Sequence, residues 1–185
     1  MNRTELAIVT AFWQLLEEKP YNKITVKNIV ERCDINRNTF YYHFQDIPDL
    51  LDKALKKDID ELLNSYQSYN SFLDYLTPII DACLKKKKQI LNIYHSSHQE
   101  FFVHQINQIA YYVSEKYIDI LINGIEILDE DKKLLIRFNK CLLMGVTLDW
   151  FDHEADFDLI KALKRIEQIL KDSNRHLLLF KKENQ

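Results

Sequence analysis

The chain is expected to be all-α, on three observations. Its 185 residues include only 2 Gly and 3 Pro, so helix breakers are scarce. Apolar residues recur at spacings of three and four along most of its length. No stretch alternates apolar and polar residues long enough to make a strand.

The elements follow in order, with helices expected at about 4–18, 26–32, 37–43, 47–65, 70–86, 88–96, 100–123, 130–151 and 157–171. Ile8, Ala11, Phe12, Leu15 and Leu16 give the first helix one apolar face, and Pro20 ends it. Thr25 is an N-cap before Val26, Ile29 and Val30. Cys33, Asp34 and Ile35 make a tight turn, and Asp34 stands where such a turn needs a positive φ. Asn36 caps the next helix, on which Phe40 and Phe44 point inward while Arg37, Asn38, Thr39, Tyr42 and His43 face outward. Asp46, Pro48 and Asp49 open a fourth helix that runs on through Ile59 and Leu62 without a flexible linker. Pro78, after Thr77, either opens a new helix or kinks one. The segments near 130–151 and 157–171 carry Leu134, Leu135, Phe138, Leu142, Ile160, Leu163 and Ile166 on helical spacing.

Two short helices across a tight turn, the second presenting polar and aromatic side chains, have the layout of a helix-turn-helix reader of DNA. Thr25, Val26, Ile29, Thr39, Phe40, Tyr41, His43, Phe44 and Leu50 or Leu51 stand in an order that resembles the TetR family of bacterial transcription regulators. The likeness extends back through the first helix and covers about a third of the chain. Departures are Cys33-Asp34-Ile35 in place of Ala-Gly-Val, Gln45 near a position that is often basic, and Asp49 in place of Glu. The resemblance implies a DNA-binding domain over 1–50 and a helical sensor and dimerisation domain over 51–185. It implies a homodimer on palindromic double-stranded DNA, with the last two long helices at the dimer interface and repression as the default sign. Thr25, Lys27, Arg37, Asn38, Thr39, Tyr42 and His43 are the expected DNA contacts. Tyr41 is open between packing and contact. Asn92–Phe102, with Gly145 and Trp150, resembles the C-terminal domain of the dihydroxyacetone-kinase-regulator branch, which would implicate a partner protein or metabolite as the signal.

Aromatic residues are dense beyond the motif, and polar-tipped rings suit a cavity for a small organic effector. Tyr66, Tyr94, Tyr111 and Tyr112 are the candidate ligand residues, set against the plainer reading that each is core. The net charge of −3 does not advertise a nucleic-acid partner, although Lys23, Lys27 and Arg37 gather where the motif would meet a duplex. That weak charge keeps open a coregulator that works through a protein partner. His95, His98 and His104 with Glu100 invite a metal reading but lack a diagnostic spacing, so no metal or cofactor is expected. Lys85–Lys88 reads as a solvated helix end or an anion contact. Cys33, Cys83 and Cys141 read as reduced core thiols, and the Leu177–Phe180 tail as packing on the body or a partner subunit. No apolar run reaches membrane-spanning length and no secretory leader is seen, so a cytoplasmic protein is expected. Glycine-rich phosphate loops, nucleophile elbows and H-E-x-x-H are missing from the sequence, and no enzyme is expected.

Overall fold

The structure is a computed structural model that describes residues 2–65 and 71–169. The helices are α1 (Arg3–Glu18), α2 (Val26–Cys33), α3 (Arg37–His43), α4 (Ile47–Ser65), α5 (Phe72–Lys85), α6 (Lys87–Tyr94), α7 (Gln99–Leu121) and α8 (Asp129–Asp152). A further helix, α9, is described over 159–169. Among the described residues there is no strand, and no helix is long and apolar enough to cross a membrane. Tyr66 and the Leu177–Phe180 tail lie outside the described residues.

Local chemistry sets the helix ends. Asn2 and Glu5 form a reciprocal capping box on α1, and Thr25 and Asn28 form another on α2. Asp34 is the C-cap of α2 in the left-handed region, φ 53° and ψ 48°, with Ile35 N–H donating back to Val30 O at 3.0 Å. Asn36 Oδ1 accepts the Thr39 N–H at 2.8 Å and so starts α3. Asp46 Oδ1 accepts the Asp49 N–H at 2.8 Å at the start of α4. Pro78 lies inside α5 and neither starts nor ends a helix; the Thr77 hydroxyl donates to Leu73 O at 2.8 Å beside it. A short 3-10 turn at Tyr21–Lys23 joins α1 to α2, where only a loop is expected from the sequence.

One apolar core runs from Ile8 in α1 to Leu159 at the start of α9. Ile8, Phe12, Leu16, Ile29, Phe40 and Leu50 are fully buried, which knits α1–α3 to the start of α4. Burying each such side chain contributes roughly 1.5–3 kcal/mol. The same cluster continues through Tyr75, Ile93, Phe102 and Phe151, so α1–α3 and the helices beyond α4 share packing.

A polar seam reinforces this join. Asn92 of α6 donates to Leu16 O at 2.9 Å and Lys19 O at 2.8 Å, and its Oδ1 accepts the Tyr21 N–H at 2.9 Å. One side chain thereby satisfies the carbonyls freed at the end of α1 and a donor in the following turn. Lys88 Nζ donates to Glu17 O and Gln89 Nε2 to Glu17 Oε1, both at 2.7 Å.

The lysine run is therefore no simple solvated helix end. Lys86 pairs with Asp58, Lys87 Nζ donates to Ala155 O at 2.9 Å and Lys88 holds Glu17 O, so three of the four are tethered to other elements. Cys141 departs from its expectation as well, since it is exposed on α8, while Cys33 and Cys83 are half-buried.

Candidate nucleic-acid interface and sensor cavity

The reading helix is held from both ends and from beneath. The Asp34 turn sets its angle to α2, and Phe40 and Phe44 anchor it with ring centroids 5.8 Å apart. Arg37, Asn38, Tyr41 and Tyr42 are left exposed on the outer side, Tyr42 to 84%. Tyr41 is 55% exposed, so it is available to a partner even though its ring meets Phe40 edge-on. Thr39 is half-buried and its hydroxyl donates to Asn36 Oδ1 at 3.1 Å. Thr25 and Lys27 lie exposed at the start of α2, with the Thr25 hydroxyl donating to Asn28 Oδ1 at 2.9 Å and Lys27 3.7 Å from Glu31.

His43 departs from its expected outward position. Its side chain is only 7% exposed, and Nδ1 stands 3.2 Å from Glu5 Oε1. With Phe40 inside this seven-residue helix and its C-cap Phe44 both turned inward, the last helical residue faces α1, where Glu5 receives it. Glu5 also accepts the Asn2 N–H, and that backbone bond, with the His43 contact adding to it, holds its carboxyl below the ordinary value. Lys53 of α4 donates to His43 O at 3.1 Å and to Asp49 at 2.9 Å, which brings another cation to the end of α3. Arg32 is held by a two-pronged pair with Glu18, both contacts at 2.6 Å.

Of the candidate ligand tyrosines among the described residues, Tyr94 stands apart from Tyr111 and Tyr112. Tyr94 is buried and its hydroxyl donates to Asp152 Oδ1 at 2.5 Å; burial first, and that carboxylate second, push its pKa up to about 12. Tyr111 and Tyr112 edge an open groove between α4 and α7, where the Tyr112 hydroxyl donates to Asp60 Oδ1 at 2.7 Å. The hydroxyls of Tyr94 and Tyr112 tie helices together. A partly open cavity lies elsewhere, about 120 Å3 in volume, among side chains that include Trp13, Asp58, Lys86, Phe102, Thr147 and Phe151. Its wall therefore draws on α1 as well as on α4–α8. The lining comes from six helices whose meeting point no periodicity reveals.

The histidines singled out in the sequence each meet a different neighbour. His95 Nε2 is 2.9 Å from Glu154, His98 packs edge-on against Tyr21 at 5.2 Å, and His104 edges the α4–α7 groove. Among the described residues no three His, Cys, Asp or Glu side chains are placed to share a metal ion.

A three-helix reading unit with a polar, aromatic outer helix, fused through a continuous helix to an all-helical body, defines the class of helix-turn-helix transcription regulators. Residues 8–54 match the bacterial regulatory proteins of the tetR family, and residues 70–172 match the transcriptional regulator C-terminal region. The second match alone spans more than half of the chain, so the chain belongs to the TetR family of transcription regulators. It is 35% identical over 66 residues to the HTH-type dhaKLM operon transcriptional activator DhaS of Lactococcus lactis subsp. lactis (strain IL1403), a match covering 36% of this chain and 35% of that protein. Among solved structures, a dihydroxyacetone kinase operon activator DhaS superposes with a TM-score of 0.62 at 23% identity, covering 92% of this chain and 96% of the other. The fatty acid degradation regulator FadR from Bacillus halodurans follows with a TM-score of 0.59 at 14% identity, covering 92% and 95%. At these identities both structures speak to the fold.

Proposed function

We propose that the protein is a ligand-responsive regulator that binds a near-palindromic operator as a homodimer. The observation that carries the reading is the exposed outer side of α3, fixed from below by two buried phenylalanines and at its start by the Asp34 turn. Arg37, Asn38 and Thr39 reach base edges, while Thr25, Lys27, Tyr41 and Tyr42 meet backbone phosphate. His43 acts by positioning α3 against α1, and the boundary between reading head and sensor falls near residue 50, within α4.

Dimerisation is supported by an apolar stripe that the protomer leaves open. Leu134, Phe138 and Leu142, four apart along α8, are 63%, 62% and 47% exposed, and Ile166 and Ile169 of α9 are 51% and 47% exposed. Gly145 continues the stripe with open space where a Cβ would stand, which suits a close helix approach. A stripe of this kind is buried in the working state of a regulator. Two-fold symmetry sets the reading helices on half-sites about one helical turn apart, and the doubled contacts offset the modest charge of each head.

An effector in the sensor weakens DNA binding by shifting the heads, with a reciprocal coupling typically of ~1–3 kcal/mol. The Asn92 seam and the continuous α4 give that shift a mechanical route. Repression by occupancy is the sign the family resemblance suggests, whereas the DhaS relatives are operon activators. Reporter transcription with the operator placed upstream, and then downstream, of one promoter decides between them. The wider reading is tested by selecting genomic fragments with purified protein: recovery of a two-fold site supports it, and failure of folded dimer to retain any fragment favours action through a protein partner.

A further inference from the structure

One residue of the cavity wall carries a buried polar group without a partner among the described residues. Trp13 of α1 lines the cavity, is 8% exposed, and its indole N–H meets no acceptor. A buried donor without a partner is destabilising, and a native protein keeps such a group where something else supplies the acceptor. The two charged groups of the wall answer each other. The Lys86 ammonium pairs with Asp58 and lies 4.4 Å over the Trp13 ring. The rest of the lining is mostly aliphatic and aromatic, and burial pushes the nearby Cys83 thiol up to about 11.

We infer that this cavity binds a small neutral molecule, apolar in body and carrying one carbonyl-type oxygen, which accepts the Trp13 indole N–H. This deepens the effector reading above and rests on it for its regulatory meaning. The size follows from the volume: a cavity of roughly 150 Å3 holds a benzene ring, so 120 Å3 suits about six non-hydrogen atoms. Neutrality follows from the ion pair, since Lys86 and Asp58 already balance and an anion would bring an uncompensated charge among apolar walls. The position of the donor matters for regulation. Trp13 stands on α1, one turn before Glu17 and in the helix that packs beneath the reading unit, so a bound oxygen touches the DNA-binding head directly.

Three probes of six non-hydrogen atoms separate the alternatives: cyclopentanone, its isostere methylenecyclopentane, which lacks the acceptor, and butanoate, which is charged. Each is titrated into 15N-labelled full-length protein at millimolar concentration while the two indole N–H signals are followed. Trp150 is the internal control, because its N–H already donates to Phe157 O at 3.1 Å. Cyclopentanone is expected to shift the Trp13 signal saturably downfield and leave Trp150 in place. Methylenecyclopentane is expected to bind on the order of ten-fold more weakly, without the downfield shift. Trp13→Phe assigns the signal and should bring the ketone down to the affinity of the hydrocarbon; if that variant does not fold, the two probes on the wild-type protein still decide. The absence of any saturable Trp13 shift with the ketone, or tighter binding of butanoate, overturns the inference. Operator affinity measured in the same titration keeps the two readings apart. A ketone that binds at Trp13 without changing DNA affinity upholds the site and defeats its effector role, whereas a compound that releases DNA without displacing bound ketone or moving Trp13 upholds an effector and places it elsewhere.

Discussion

The Asp34 turn sets the angle between the two helices of the motif, and substitutions there test that directly. Asp34 holds φ 53° and ψ 48°, its side chain is exposed, and its N–H donates to Val30 O, so replacements act almost entirely through the backbone. The left-handed region costs an ordinary L-residue roughly 1–2 kcal/mol, less for Asp or Asn and nothing comparable for Gly. Asp34→Gly should therefore stabilise by about 0.5–1 kcal/mol, Asp34→Asn should be near neutral, Asp34→Ala should cost about 0.5–1 kcal/mol and Asp34→Val about 1–2 kcal/mol. For a chain of this size each kcal/mol moves Tm by about 2–4 °C. Thermal unfolding followed by circular dichroism gives the order Gly, then Asp and Asn, then Ala, then Val. Asp34→Asn also removes a carboxylate beside the duplex while keeping the turn, and should tighten DNA binding about two-fold at low salt and less at high salt. A Val variant as stable as the Gly variant would refute the turn geometry.

Three further outcomes follow from particular contacts. Leu142→Asp should dissociate the dimer and leave a helical protomer, because Leu142 is already 47% exposed there; light scattering with circular dichroism reads both, and loss of helicity would mean the residue belongs to the protomer core. Asn92→Ala strands the Tyr21 N–H and two carbonyls, so it should cost about 1–3 kcal/mol in denaturant unfolding and reduce the effect of any effector on operator affinity. Glu5 has a folded-state pKa below its ordinary value, so its stabilising contribution is complete above that value and lost as pH falls through the lower one; Glu5→Gln should flatten that part of the acid unfolding profile, and an unchanged slope would remove Glu5 from the account.

Much of this fold is written locally. Helical spacing finds α1 through α8 within a few residues, and Thr25, Asp34, Asn36 and Asp46 do at their helix ends what such residues do in isolation. The exposure of Arg37, Asn38 and Tyr42 follows from the inward pull of Phe40 and Phe44. Contacts between distant positions are less legible. His43 turns inward because Glu5, 38 positions earlier, waits for it. Asn92 looks like any helical polar residue until α1 ends beside it. The lysine run resembles a solvated end because charge alone does not disclose Asp58, Ala155 and Glu17. The turn after α8 holds Glu154 at φ 55° and Ala155 at φ 46° with no glycine to announce it.

Operator binding by wild-type and Arg37→Ala protein, on a site recovered from genomic fragments and on its single-base variants, bears most directly on the claim that α3 reads DNA. A near-palindromic site with half-sites about one helical turn apart is expected, with a loss for Arg37→Ala of ~1–3 kcal/mol concentrated at one base pair of each half-site. Folded wild-type dimer that retains no fragment, or an Arg37→Ala variant with unchanged affinity and base preference, would contradict it.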